Sequence, residues 1–177
     1  MTKSGLTVLH DGMPALGKAL RALTMQSVLV GIPAGPPREG DGLTNAQLGY
    51  IHEKGSPKRN IPARPFLEPG IRKAHDAVVR QLRAAAKTAL KGNAAGVTRS
   101  LERAGQVAEN TVRAMFVDND WAPLAESTLK RRPVLARDEE GKPVKYGKSR
   151  QERGATNPLI DSAQLRKSVT HVVRKGK

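Results

Sequence analysis

Apolar residues recur at steps of three and four through the middle of this chain and cluster as β-branched runs near its two ends. Ile71, Ala74, Val78, Leu82, Ala85 and Ala89 define one helical stripe opposite a basic face. Gly92 and Asn93 interrupt it, and Val97, Leu101, Ala104, Ala108, Val112 and Met115 resume the period up to Asp118, Asn119 and Asp120. The pattern predicts a helical hairpin or a kinked rod that supplies half the core. A shorter helix is predicted over residues 13–24, with Met13, Leu16, Leu20 and Leu23 on one stripe. The run from Ser27 to Ile32, stopped by Pro33, reads as a strand, and Val169, Thr170, His171, Val172 and Val173 read as a closing one. β-branched ends around long 3.6-period segments predict an α+β fold, with a small antiparallel sheet of residues 28–32 and 169–173 covered by the long helices.

The connections carry their own signals. Thr44 and Gln47 have capping-box spacing, which predicts a helix of two turns to about Glu53 with Gly55 as a left-handed stop. Pro57, Pro62 and Pro65 predict a stiff extended arm over residues 56–64. Pro123, after Trp121, is placed to start a short helix ending near Arg131, Arg132 and Pro133. Nine basic and four acidic residues between Lys130 and Arg153, with few apolar ones, predict a long flexible loop over 134–156. Asp161, three residues before Gln164, predicts a capped turn. The whole reads as one α+β domain, 1–177, with flexible loops near 33–43, 54–66 and 133–157.

Composition narrows the class. A chain of 177 residues can bury a core without staples, and the absence of cysteine excludes disulfides and thiolate metal sites. No signal-like or membrane-spanning apolar run is present, so a soluble protein made in a cytoplasm, with no membrane partner, is expected. A net charge of +15 calls for an acidic partner: nucleic acid, an anionic surface or an acidic protein face. Arg72, Lys73, Arg80, Arg83, Lys87 and Lys91 have no aromatic neighbours in their segment, which argues against base stacking on a single strand.

Motifs with chemistry fail on context. Gly147-Lys148-Ser149 lacks the upstream glycine of a phosphate-binding loop, since Lys142 stands where it is needed. His52-Glu53 lacks the second zincin histidine, because Ser56 occupies that place, and His10, His75 and His171 lie in unrelated elements. No nucleophile elbow occurs. No metal, no cofactor and no enzymatic activity are expected.

What remains are apolar anchors and prolines in segments between the core elements. Tyr50, His52, Ile61, Pro62, Arg64, Pro65, Phe66, Trp121, Leu159, Leu165 and Arg166 are the candidate partner or oligomer interface. The prolines cut the ordering cost of a docking arm, so residues 61–67 and the segment 159–168 are expected to stabilise an assembly more than the isolated fold, beside the alternative that Trp121 and Phe66 pack in the core. Four patterns occur in order: Tyr50-Ile51-His52-Glu53 with Gly55; Ile61-Pro62-Ala63-Arg64-Pro65-Phe66-Leu67; Trp121, Pro123 and Leu124 followed by Thr128; and Pro158-Leu159-Ile160-Asp161-Ser162 followed by Gln164, Leu165, Arg166 and Ser168. In this the chain resembles the tail-completion and head-tail joining proteins of long-tailed bacteriophages, the virion morphogenesis or minor tail-component families. Such proteins commonly carry Thr-Gly where this chain has Ser162-Ala163, so a different turn is expected there.

The resemblance implies a non-enzymatic homo-oligomeric ring, a hexamer by preference, placed in the virion at the head-tail junction after assembly in the bacterial host cytoplasm. Implied partners are the tail tube protein and the neck or connector proteins, with DNA passing through the lumen without sequence-specific binding. A lumen that conducts DNA should not grip it, so much of the charge is expected to face acidic protein neighbours. The alternative is a basic DNA-binding protein of the packaging or nucleoid type.

Overall fold

Each long helix exists because its buried stripe is small enough for close packing. In a computed structural model describing residues 12–38, 42–117, 121–155, 157, 159 and 163–176, the elements run α1 (Met13–Thr24), β1 (Gln26–Gly31), α2 (Asn45–Lys54), α3 (Leu67–Leu90), α4 (Ala94–Ala114), α5 (Glu126–Lys130), β2 (Val134–Arg137), β3 (Pro143–Tyr146), α6 (Gln164–Ser168) and β4 (Thr170–Lys175). The expectations placed on His10, on Asp118, Asn119 and Asp120, and on Pro158, Ile160, Asp161 and Ser162 lie outside the described residues. The fold is mixed helix and sheet, with two small antiparallel sheets and two long helices. By its internal contacts the chain divides into two compact units.

The first unit comprises Met1–Val30, Ala74–Glu109 and His171–Lys177. Its core is Ala19, Ala85, Ala89, Val97 and Leu101, with Leu23, Val28 and Val173 packed on them. Between α3 and α4, Gly92 takes φ +73° and the Asn93 side chain accepts from the Gly96 amide at 2.8 Å, capping α4. The two long segments are therefore separate helices, and residues 85–89 packing on 97–101 make them antiparallel here. β1 pairs with β4, as the two β-branched runs predict. Along α1, the predicted stripe is only partly used: Ala19 and Leu23 pack inward, while Met13, Leu16 and Leu20 stay exposed.

The second unit comprises Gly31–Lys73 and Asn110–Thr170. Phe66 and Phe116 meet at its centre, ring centroids 4.5 Å apart, beside buried Val112, Leu159, Leu165 and Val169. Gly70 admits α4 closely, since a Cβ there would lie 2.8 Å from the Val112 backbone. Residues 134–156, expected as a flexible loop, instead contain a hairpin in which β2 and β3 pair antiparallel, Val134 opposite Tyr146 and Arg137 opposite Pro143. Asp138 accepts from the Lys142 amide at 2.7 Å and Gly141 takes φ +79°, so the acidic run is a turn between strands. The charge of the segment hid that turn. The helix expected from Pro123 starts later, at Glu126.

Candidate partner interface

The sequence signals around residues 44–67 resolve into a chain of backbone-directed bonds. Thr44 accepts from the Gln47 amide at 3.1 Å and Gln47 accepts from the Thr44 amide at 2.9 Å, completing the predicted capping box of α2. α2 stops at Gly55, whose φ is +74° with ψ 176°, extended rather than the helical left-handed region. A Cβ there would sit 2.8 Å from the Ala63 amide nitrogen, so both dihedral and space require glycine.

Residues 56–61 do not run extended as expected. Ser56 and Ile61 exchange backbone hydrogen bonds at 2.9 and 3.0 Å around a 3₁₀ turn, Pro57–Arg59, closed by Asn60 at φ +54°. Pro57 sits at the first position of that turn, where no N–H is needed, and the left-handed Asn60 reverses the chain. Residues 62–66 then run to α3 without regular secondary structure, anchored where the Arg64 amide donates to the His52 carbonyl at 2.7 Å.

Glu53 explains why α2 and this arm occur together. Its carboxylate accepts from the amides of Phe66, Leu67 and Glu68 at 2.8, 2.9 and 3.0 Å, capping the first turn of α3. A carboxylate at a helix N-terminus also meets the positive end of the helix dipole. The cap comes from thirteen residues upstream of Phe66 and follows no local spacing rule, so the sequence shows Glu53 in a motif without showing this role.

Arg64 is equally internal. It is buried, its Nε and Nη2 donate to the Ala122 carbonyl at 3.2 and 3.1 Å, and Nη2 also donates to the Pro123 carbonyl at 3.2 Å. The third motif thus presents carbonyls to a guanidinium fork, which holds residues 121–125 out of helix. Burial lowers the Arg64 pKa from its usual value. Beside it, the His52 ring is pushed down to about 4, first by burial and then by the charges of Arg64 and Arg38. Its buried Nδ1, like Trp121 Nε1, has no hydrogen-bond partner among the described residues.

Of the two roles open for Phe66, the structure shows the one in the core, and Arg64 is internal beside it. Phe66 is 1% exposed and Arg64 5%, so neither offers a partner enough surface to contribute an interface. Leu159 and Leu165 are likewise buried, and Leu165 lies beside Gly49 where α2 meets α6. Gly49 is needed there, since an added Cβ would come 2.7 Å from Ile32 Cδ1. Arg166, Trp121 and Ile61 are half-buried; Pro62 and Pro65 are exposed. Of the candidates, Tyr50 is the large residue left open, 68% exposed on a ridge between two grooves. One groove, about 620 Å³, is floored by Ile32, Gly49, Phe66 and Ile71; the other runs past Leu43, Gln47 and Ile51.

The left-over motifs are also accounted for. Ser149 is buried and its amide donates to Glu152 at 2.6 Å while the Glu152 amide donates back to the Ser149 hydroxyl at 3.2 Å. The Ser149 amide holds the Glu152 carboxyl below its usual range. A carboxylate thus takes the amide that a phosphate-binding loop would offer its ligand. Among the described residues no group of three or more His, Cys, Asp and Glu is placed to hold a metal ion, and no helix is long and apolar enough to cross a membrane. No protein-family model, curated protein or solved structure matches the chain.

Proposed function

We propose that the protein is a structural virion subunit at a phage head-tail junction, a homo-oligomeric ring that caps the tail tube and receives the neck, acting by assembly and not by turnover. The observation that carries this reading is the convergence of its four motifs. Glu53 binds the start of α3, Arg64 binds the Trp121 segment, and Leu165 packs at Gly49, all within one unit. The departure from the family pattern supports it too: Ala163, where such proteins commonly carry glycine, holds φ +57°. A left-handed position is where glycine is favoured and alanine is strained.

Open apolar surface supports assembly. Met13, Leu16 and Leu20 on α1, Leu135, Val144 and Tyr146 on the hairpin, and Tyr50 on α2 are all exposed. Large apolar side chains left in water are available for protein contacts. Loss of the gene from the phage that carries it should leave filled heads and separate tails, restored by the gene in trans; normally joined particles would refute the reading. The competing reading, a packaging or nucleoid DNA-binding protein, is favoured by the net charge of +15. It requires submicromolar duplex binding without self-assembly.

A further inference from the structure

The outward side of α3 carries Arg80, Arg83 and Lys87, and Lys91 follows one residue past its end; at steps of three, four and four residues they make a row about 16 Å long at the helical rise. All four are exposed, on the side of the helix away from buried Ala85 and Ala89. Among the described residues none of the four has an ion-pair partner, although Arg72 and Lys130 elsewhere are paired at i,i+4. The described acidic residues of the same unit are engaged with histidines: Asp76 with His75 at 3.0 Å, and Glu109 and Glu102 with His171 at 2.6 and 3.1 Å. Like charges three and four residues apart repel on a helix, so the stripe does not serve the fold.

We propose that this stripe is a contact surface for the phosphate backbone of duplex nucleic acid, made without base readout. A duplex presents one charge per about 1.7 Å of axis, so a stripe of this length passes some nine phosphates and can satisfy four cations along a line. A protein partner fits less well, because interface centres are enriched in aromatics and depleted of lysine, and half of this stripe is lysine. A single strand fits less well because the segment has no aromatic on which bases could stack. Four contacts give binding in the roughly micromolar or weaker range of sequence-independent complexes, which releases DNA as readily as it takes it. The inference extends the ring reading by giving DNA a place on the subunit, and it does not depend on that reading.

The test is fluorescence anisotropy of the full chain with two labelled duplexes of unrelated sequence, the matching single strand, and polyglutamate as competitor, across about 50–200 mM salt. Expected are equal affinity for both duplexes, weaker binding of the single strand, no displacement by polyglutamate at equal charge, and a log-log salt slope near roughly −3.6 from four phosphates. The variant Arg80→Gln, Arg83→Gln, Lys87→Gln, Lys91→Gln should lose at least about tenfold in affinity and most of that slope. A control with the same charge loss on and just after the hairpin, Arg137→Gln, Lys142→Gln, Lys145→Gln, Lys148→Gln, should retain both. Equal losses in the two variants, an unchanged first variant, or preference for the single strand or the acidic polymer would overturn the proposal. Light-scattering mass of the same variants reads assembly separately: loss of duplex binding at unchanged mass leaves the ring reading untouched, and a monomer that binds through the stripe refutes only the ring.

Discussion

Two charged side chains hold the second unit together from within, and each gives a prediction. Replacing Glu53 with alanine leaves three amides at the start of α3 without their carboxylate, at a cost of about 2 kcal/mol, read as a lower denaturant midpoint with unchanged slope. Arg64→Lys should not rescue the loss seen in Arg64→Ala, about 3 kcal/mol, because an ammonium cannot span the Ala122 and Pro123 carbonyls as the fork does. His52 makes stability depend on pH. The folded protein keeps the ring neutral down to about 4, against 6.5 for an unperturbed histidine, so the unfolded chain takes up the proton first. The contribution is complete above pH 6.5 and is lost as pH falls towards 4. At about 1.36 kcal/mol per unit, discounted for a partly exposed ring, the loss is roughly 2 kcal/mol. Denaturant titrations should show a decline between pH 6.5 and 5, above the carboxylate range, that His52→Gln flattens; a wild-type midpoint constant over that window would contradict the assignment.

At the scale of elements, α6 carries a local conflict that can be relieved. Ala163 precedes it at φ +57° and ψ 7°, a conformation costing a residue with a Cβ about 1 kcal/mol or more. Ala163→Gly should therefore raise the melting temperature by several degrees, despite glycine's greater freedom in the unfolded chain; a drop would show that the strain is absent. In β4 and α4 the fit is of another kind. A Cβ at Gly105 would meet the His171 ring at 2.3 Å, so Gly105 makes the room in which His171 reaches Glu102 and Glu109.

Such details mark how far sequence carries. Periodicity located α1, α3 and α4, and β-branched runs located β1 and β4, because those elements are specified by what they bury. The capping box of α2 was legible because its partners are three residues apart. The Glu53 cap, the Arg64 fork and the His171 bridge join residues 13 to 69 apart, and no pattern along the chain announces them. The same distance explains why core and docking roles could not be told apart for Phe66 and Arg64: an arm rich in proline with an aromatic and a guanidinium reads as a dock until its acceptors are known to be internal.

For the whole molecule, the central claim is that the functional unit is larger than the chain. Apolar residues stay exposed on α1, on α2 and on the hairpin, and head-to-tail contacts between unlike patches generate closed rings or open filaments. An interface of packed apolar side chains persists in salt that abolishes phosphate contacts, so ionic strength separates the two readings of the charge. The most direct measurement is the mass of the purified protein by light scattering at low and high salt, with class averages of the same sample. The account predicts closed rings with a mass near six times the 19.1 kDa protomer, unchanged by salt. A protein that remains a 19.1 kDa monomer at every concentration and salt, and binds duplex at submicromolar affinity, would contradict it.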